Sequence, residues 1–346
     1  MNPEVQRMYE KMKAKLERIV PDVELRYKAE IAVEIEALKK QRNAVILGHN
    51  YMEPALFHSI PDFTGDSLDL SRKAAATDKD VIVFCGVRFM AETAKILNPG
   101  KTVLLPSEKA GCSLAASITA EDVRALKARF PGVPVVSYVN TYADVKAESD
   151  ICCTSSNAVA VVESLKAQTV IFLPDEYLAR NVARETGKHI IFPTLQPLAR
   201  EDTTLDYQLI GWHGRCEVHE KFTVQDIEMV RAQFPEVVIL AHPECSPEVV
   251  AAADFSGSTN AMIRYVQQTR APRYLLLTEC AMGDNIAAAN PDKEMLRLCM
   301  VRCPHMNMIT MEDTRAALKF NRYVIELDED IRQRAYRAVE RMIQIG

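Results

Sequence analysis

Short β-branched runs separated by helix-length segments make up most of the chain after Arg42, and they recur at a nearly constant spacing. They form three sets of three: Ala44–Leu47, Val81–Phe84 and Thr102–Leu105; Val133–Val136, Thr169–Leu173 and His189–Phe192; and Val237–Leu240, Tyr274–Leu277 and Met306–Ile309. The first run leads to the second over 36, 35 and 37 residues (46 to 82, 136 to 171 and 239 to 276). This pattern predicts an α/β fold built from three copies of one βαβαβ unit with parallel strands.

Polar side chains follow the first run of each set, where the predicted strand ends. The sequences are Gly-His-Asn-Tyr at 48–51, Ser-Tyr-Val-Asn at 137–140 and Ala-His-Pro-Glu at 241–244. Open α/β sheets bind ligands at the carboxyl ends of their strands. One such end could be ordinary surface polarity, but three equivalent ends favour a functional site.

Hydroxyl-rich turns come later in each unit, where a helix is expected to begin. They are Gly-Asp-Ser at 65–67, Thr-Ser-Ser-Asn at 154–157 and Gly-Ser-Thr-Asn at 257–260. The hydroxyls could simply be helix N-caps. Helix N-termini also bind anions, so three that converge would suit a ligand with several carboxylates or a phosphate.

The charge balance excludes some classes of partner. The chain has 42 basic and 47 acidic residues and a net charge of -5, which disfavours a nucleic-acid binder. No apolar run approaches the ~18 residues of a membrane helix. The charged segment 1–18 has no signal-peptide pattern, so we expect a cytoplasmic protein that binds neither nucleic acid nor membrane.

Nine cysteines are many for such a chain. Cytoplasmic thiols stay reduced, so a disulfide framework is not expected, and most of these cysteines could be small buried side chains. Cys112 and Cys216 follow the third predicted strand of their units, near unit boundaries, whereas Cys303 precedes the third predicted strand of the last unit. The three are separated by 104 and 87 residues (112 to 216 and 216 to 303). No local zinc or ferredoxin spacing makes them ligands, and the spacing leaves packing and metal binding both open.

Together these motifs resemble one enzyme family. The strand-end motifs, the hydroxyl turns, the segment 212–219, Tyr-Val-Asn-Thr at 138–141, Cys-Thr-Ser-Ser-Asn at 153–157 and Cys-Pro-His-Met at 303–306 are similar, in order, to those of quinolinate synthase. The resemblance implies three pseudo-threefold-related αβα domains with parallel sheets and a [4Fe-4S] cluster at their central junction. It implies a transferase of NAD biosynthesis that makes quinolinate from iminoaspartate and dihydroxyacetone phosphate, with loss of phosphate and water.

The resemblance also implies roles for individual residues. Cys112, Cys216 and Cys303 would hold the cluster and leave one iron open as a Lewis acid. The expected catalytic residues are Tyr51, Tyr138, His219 and Glu244, with Tyr51 and Glu244 sharing acid–base work. The expected substrate-binding residues are His49, Ser67, Tyr138, Asn140, Ser155, His242, Glu244, Ser258 and Thr259.

Domain bounds follow from the same resemblance and the repeat. We expect a first domain over 1–112, completed by 304–346, a second over 113–195 and a third over 196–303. Two departures stand out: Met52 replaces a glutamine that many family members have, and Cys299 and Cys303 lack the spacing of the redox switch proposed for some members.

Alternatives remain open. Another iron–sulfur hydro-lyase would need the same cysteines but no phosphate site. A non-catalytic cluster sensor would not need three strand ends loaded with polar groups, and a metal-free sugar- or phosphate-binding protein would be colourless. An aspartate-oxidising enzyme is the expected source of iminoaspartate.

Overall fold

The chain folds into three parallel β-sheets with helices on both faces. A computed structural model describes residues 2–188, 190–191, 209–210, 212–298 and 301–346. Two helices come first, α1 (Pro3–Leu16) and α2 (Asp22–Arg42), and they pack on each other. Asn2 begins α1 because its side chain accepts the Glu4 amide hydrogen at 3.0 Å.

The first unit is a four-stranded sheet in the order β2-β1-β3-β4. Its elements are β1 (Ala44–His49), α3 (Pro54–Phe57), β2 (Phe63–Gly65), α4 (Ser67–Ala76), β3 (Val81–Cys85), α5 (Arg88–Leu97) and β4 (Thr102–Leu104). Every residue of β1 and β3 is buried, as expected for central strands of a sheet covered on both faces.

The second unit has five strands in the order β6-β5-β7-β9-β8. Its elements are α6 (Ala120–Arg129), β5 (Val135–Tyr138), α7 (Ala143–Ala147), β6 (Ile151–Cys153), α8 (Ala158–Ser164), β7 (Val170–Leu173), α9 (Glu176–Thr186), β8 (Ile190–Ile191) and β9 (Leu209–Ile210). β9 lies within 196–303, the range expected for the third domain, but it pairs with β7 of the second sheet.

The third unit repeats the first, in the order β11-β10-β12-β13. Its elements are α10 (Val224–Gln233), β10 (Val238–Ala241), α11 (Pro247–Ala252), β11 (Phe255–Ser256), α12 (Thr259–Gln268), β12 (Arg273–Leu277), α13 (Cys280–Ala289) and β13 (Glu294–Leu296). Two helices end the chain, α14 (Met311–Phe320) and α15 (Glu329–Ile343). α14 packs on α2 and β3, whereas α15 packs on α5 of the first unit and on α7 and β6 of the second.

The structure confirms the parallel α/β class with three sheets but corrects two third strands. The prediction of a strand over Met306–Ile309 is wrong, because residues 306–308 form a 3-10 helix and β13 is the third strand. A short apolar run has too few residues for its periodicity to show whether it forms a strand or a helix. In the second unit 190–191 forms an edge strand, and β9 takes the place beside β7. Residues 189 and 192 of that predicted strand lie outside the described residues.

β1, β5 and β10 each lie between the next two strands of their unit in chain order. The connection after this first strand therefore runs to one side of the sheet, and the connection after the neighbouring β3, β7 or β12 runs to the other side. This reversal opens a crevice at the carboxyl end of β1, β5 and β10, where open α/β sheets bind ligands. Where the three units face each other, their strand ends can contribute to one site. None of the described helices is both long and apolar enough to cross a membrane.

Candidate active site

One cavity collects side chains from all three units. The predicted site residues that line it are His49, Tyr51, Ser67, Cys112, Tyr138, Asn140, Ser155, Cys216, His219, His242, Glu244, Thr259 and Cys303. Ser258 is the exception, since its buried hydroxyl caps α12 by accepting the Ala261 amide hydrogen at 3.4 Å. Tertiary packing thus brings together residues that lie up to 254 positions apart, from 49 to 303.

The three cysteines lie on three copies of the same local structure. In the cysteine segments, residues 112–122, 216–226 and 303–313, a 3-10 helix begins three residues after the cysteine. A threonine seven residues after the cysteine then caps an α-helix by accepting the amide hydrogen of the aspartate at position ten. The segments join each unit to the next helix, and the third leads back to the first unit through α14.

Backbone amides point at each of the three sulfurs. The donors are the residues two and three positions after the cysteine: Leu114 and Ala115, Val218 and His219, His305 and Met306. The Met306 nitrogen, for example, lies 3.5 Å from Cys303 Sγ. Such donors stabilise a negative sulfur, as thiolates bound to iron require.

Burial nevertheless has the largest effect on the pKa of these thiols, and it raises that pKa. It raises the pKa of Cys112 to about 12 and that of Cys303 to about 11, and it also raises the pKa of Cys216. A thiol in this setting loses its proton when a metal binds it. Three free thiols with amide donors, facing one cavity, therefore fit a cluster held by three cysteines.

A chain of close polar contacts crosses the cavity from one unit to another. Its Glu244–His219 step is a short contact without hydrogen-bond geometry, since His219 Nδ1 has no hydrogen-bond partner among the described residues. Glu244 Oε2 lies 2.6 Å from His219 Nδ1, and His219 Nε2 lies 2.9 Å from the Thr278 hydroxyl. That hydroxyl lies 2.6 Å from the phenol oxygen of Tyr51. With the His219 proton on Nδ1, Tyr51 donates to Thr278 and Thr278 donates to His219, so a proton can pass from Tyr51 toward Glu244. Passage from Glu244 to Tyr51 needs the His219 proton on Nε2 instead.

Glu244 has further partners on its own side of the cavity. Asn140 Nδ2 donates to Oε1 at 3.3 Å, whereas His242 Nδ1 accepts the Glu244 amide hydrogen at 3.3 Å and lies 3.5 Å from Oε2 without donating to it. Burial by itself would raise the pKa of Glu244, but attraction to His219, whose Nδ1 lies 2.6 Å away, lowers the pKa to about 2. Glu244 is therefore a carboxylate at neutral pH and can accept a proton.

Two histidines and two tyrosines of the cavity, His49, His242, Tyr51 and Tyr138, are neutral at pH 7. Burial lowers the pKa of His49 to about 3 and of His242 to about 3, and it raises the pKa of Tyr51 and Tyr138, with the charge of Glu244 adding to both phenols. His242 stacks on His219 with ring centres 4.4 Å apart, and its Nε2 lies 3.3 Å from the Ser155 hydroxyl. These groups can act as neutral hydrogen-bond donors and acceptors toward a ligand in the cavity.

The predicted anion sites differ from one another. At α4 the buried carboxylate of Asp66 already caps the helix by accepting the Asp69 amide hydrogen at 3.0 Å. At α12 the Thr259 hydroxyl lines the cavity, and Asn50 Nδ2 donates to it at 2.8 Å. No acidic residue lies in the first turn of α12, but the Asp66 carboxylate accepts a hydrogen bond from its N-cap, Ser258.

Sequence reasoning missed Thr278 because it considered only the ends of the first strands. Thr278 follows β12, a second run, and a hydroxyl directly after an apolar strand was the available signal. Met52 is fully buried in the core and does not line the cavity, so its thioether replaces an amide in a packing position. Cys299, which bears on the expected absence of a redox switch, lies outside the described residues.

Cys216, His219 and Glu244 also form a compact donor set. One ligand atom from each lies within 4.8 Å of the others. Sulfur, nitrogen and oxygen donors at this spacing could hold a metal ion. The same Cys216 serves in this set and among the three thiols, so the acid–base chain lies next to the place where iron would bind.

Comparison with known proteins gives a consistent result. A family model described as quinolinate synthetase A protein matches residues 33–344. The chain is 54% identical over 331 residues to quinolinate synthase 2 of Mesorhizobium japonicum, covering 96% of both chains. It is 55% identical over 315 residues to quinolinate synthase of Xylella fastidiosa, covering 90% of this chain and 87% of that relative. With quinolinate synthase of Caulobacter vibrioides it shares 47% identity over 347 residues, covering 99% and 89%.

Proposed function

Because the chain belongs to the quinolinate synthetase A family, a family of enzymes of NAD biosynthesis, we propose that it condenses iminoaspartate with dihydroxyacetone phosphate to form quinolinate, releasing phosphate and water. The observation that carries the proposal is the chain Glu244–His219–Thr278–Tyr51 in the cavity that the three cysteines line. Loss of water from a carbon skeleton needs a base for the C–H proton and an acid for the leaving oxygen. This chain provides both.

Glu244 and Tyr51 are the acid–base pair. Glu244, ionised at neutral pH, accepts the proton from substrate carbon, while the protonated phenol of Tyr51 donates to a leaving oxygen. To reset the pair, a proton must pass from Glu244 to Tyr51, and this direction requires the other His219 tautomer, with Nε2 donating to Thr278 and Thr278 donating to the Tyr51 phenolate. Tyr138 donates to Glu244 and keeps that carboxylate oriented.

The remaining residues bind and orient the two substrates. Neutral donors from Tyr138, Asn140 and Ser155 would hold substrate carboxylates, with His49, Ser67 and His242 completing the wall. Thr259, at the start of α12, would take the phosphate, and Ser258 supports it by capping that helix.

Cys112, Cys216 and Cys303 would hold a [4Fe-4S] cluster. When bound, an iron without a protein ligand supplies a Lewis acid that polarises a substrate oxygen. The amide hydrogens directed at each sulfur support this assignment. We also propose that the reaction occurs in the cytoplasm and that an aspartate-oxidising enzyme supplies iminoaspartate, which hydrolyses in water.

The test is an anaerobic iron and sulfide count with an absorption spectrum, followed by a quinolinate assay. We expect about four irons per wild-type chain, and loss of the cluster in each of Cys112→Ala, Cys216→Ala and Cys303→Ala. Quinolinate should form only when the phosphorylated triose is present. Dehydration without the triose would indicate another hydro-lyase, a full cluster without turnover would indicate a sensor, and a colourless reconstituted protein would contradict the cluster.

A further inference from the structure

The loops that follow the first strands have different sequences but share one pattern of hydrogen bonds. These strand-end loops, residues 49–52, 138–141 and 242–245, each present a cavity residue: Tyr51, Asn140 and Glu244. In every loop the carbonyls on both sides of that residue accept hydrogen bonds from a single buried side chain. The backbone of each cavity residue is thereby held at two points.

Asparagines hold two of the loops. Asn285 Nδ2 donates to the carbonyls of Asn50 at 3.1 Å and Met52 at 2.9 Å, on either side of Tyr51. Asn181 Nδ2 donates to the carbonyls of Pro243 at 2.9 Å and Cys245 at 3.0 Å, on either side of Glu244.

A lysine holds the third loop. Lys146 Nζ donates to the carbonyls of Val139, at 2.8 Å, and Thr141, on either side of Asn140. Lys146 is fully buried and belongs to the same unit as its loop.

The asparagines reach across unit boundaries. Asn181 lies on α9 of the second unit and holds a loop of the third, whereas Asn285 lies on α13 of the third unit and holds a loop of the first. Each lies six residues after the carboxyl side chain that caps its helix, Asp175 or Glu279. The two acid–base residues are therefore anchored by neighbouring units.

The first unit contacts the second unit through a different residue. The equivalent position on α5 is Thr93, six residues after the N-cap Val87, and its hydroxyl donates to Phe89 within its own helix. The adjacent Glu92 instead accepts the amide hydrogen of Ala143 at 2.9 Å, at the start of α7 in the second unit.

Both asparagines leave one polar atom without a partner. Asn181 and Asn285 are 1% and 3% exposed, and the Oδ1 of each has no hydrogen-bond partner among the described residues. Turning either amide over would point Oδ1 at two carbonyl oxygens, so the donor orientation is determined. Burying an unpaired amide oxygen has a desolvation cost, and the two bonds to the loop are what offset it.

We propose that Asn181 and Asn285 are positioning residues for the reaction, and that they hold Glu244 and Tyr51 at the spacing their proton chain requires. The proposal rests on the proposed function of that chain. Small displacements of acid–base groups are costly, because proton transfer needs hydrogen-bond distances.

A matched control exists in Asn98. Its Nδ2 also donates to two carbonyls, those of Ala74 and Ala94, both at 3.0 Å, and it is 6% exposed but does not line the cavity. The variants Asn181→Leu, Asn285→Leu and Asn98→Leu thus each lose two buried hydrogen bonds. Asn181→Asp keeps the shape but cannot donate to both carbonyls.

The experiment uses the reconstituted full-length holoenzyme and measures kcat, KM and iron content. We expect kcat to fall by about 10- to 100-fold in Asn181→Leu and Asn285→Leu, and similarly in Asn181→Asp, with iron per chain and KM nearly unchanged. Asn98→Leu should keep kcat within about twofold of wild type. Wild-type kcat in Asn181→Leu or Asn181→Asp, or an equal loss in Asn98→Leu, would overturn the proposal.

Amide hydrogen exchange followed by mass spectrometry gives a readout independent of catalysis. Asn181→Leu should speed exchange in residues 242–245 but not in 49–52, and Asn285→Leu should do the reverse. Exchange that is unchanged, or that rises equally in both loops, contradicts the positioning role. A wild-type holoenzyme that makes no quinolinate would refute the proposed function, and the exchange pattern would still test the two asparagines.

Discussion

The cysteine segments and the strand-end loops both occur three times around the cavity, but they repeat to very different degrees. Each cysteine segment has a cysteine, a threonine at position seven and an aspartate at position ten, folded in the same way. The strand-end loops instead present a tyrosine, an asparagine and a glutamate. Three equal cysteines would suit the proposed cluster, whereas the two proposed substrates and the proposed directional proton transfer would need unequal groups.

The comparison therefore predicts two kinds of variant. Changes in the strand-end loops should remove turnover and leave the cluster in place. Changes in the helix caps of the cysteine segments should lower stability and leave the turnover of cluster-loaded protein unchanged.

The largest effect is expected for Glu244→Gln. The amide cannot accept the substrate proton, so kcat should fall by about 10³-fold while iron and sulfide stay at the wild-type level. Steady-state kinetics with a parallel iron count measures this. Glu248→Gln, an exposed carboxylate on α11, is the control and should behave as wild type. A normal rate in Glu244→Gln would mean that another group is the base.

A smaller effect is expected for Thr278→Val. Valine has nearly the same shape but interrupts the proton path between Tyr51 and His219, so kcat should fall by about 10- to 100-fold at constant iron content. Thr278→Ser keeps a hydroxyl and should restore most of the activity. If the valine and serine variants had equal rates, the hydroxyl would not carry a proton.

The smallest effect is expected for Thr223→Ala in a cysteine segment. It removes the N-cap of α10, so the free energy of unfolding should fall by about 1 kcal/mol, measured by denaturant titration. Thr119→Ala removes the equivalent capping box of α6 and should cost a similar amount. In both variants kcat per bound cluster should match wild type. A tenfold loss of kcat in either would show that the segment does more than support its cysteine.

Several errors of the sequence-based prediction have a common origin in short elements. β13 has the sequence Glu-Met-Leu and β9 has only two residues, so neither forms an apolar run that patterning can detect. The edge strands β2, β6 and β11 were missed because each has at most three residues. Such strands form because a neighbouring central strand offers its backbone, which is a tertiary effect.

Other features of the structure have a sequence pattern that the prediction did not use. The pattern Cys-x6-Thr-x2-Asp occurs at 112, 216 and 303, and it marks all three cysteines as equivalent. An acidic residue followed six positions later by asparagine occurs at 175–181 and 279–285 but also at 92–98, 254–260 and 284–290, so this spacing by itself does not identify the two positioning asparagines. Both repeats are local, because a helix cap and the residues one and two turns after it lie at set positions in sequence.

The sequence by itself determined the parallel α/β class, the central strands of each unit, the family and which strand ends carry polar groups. These follow from local hydrophobic patterning and motif order, which do not depend on distant contacts. Only the tertiary structure decided that Thr278 links Tyr51 to His219, and that asparagines of one unit hold the loops of the next. Those contacts join residues 59 to 235 positions apart, and no local pattern encodes how three sheets face each other.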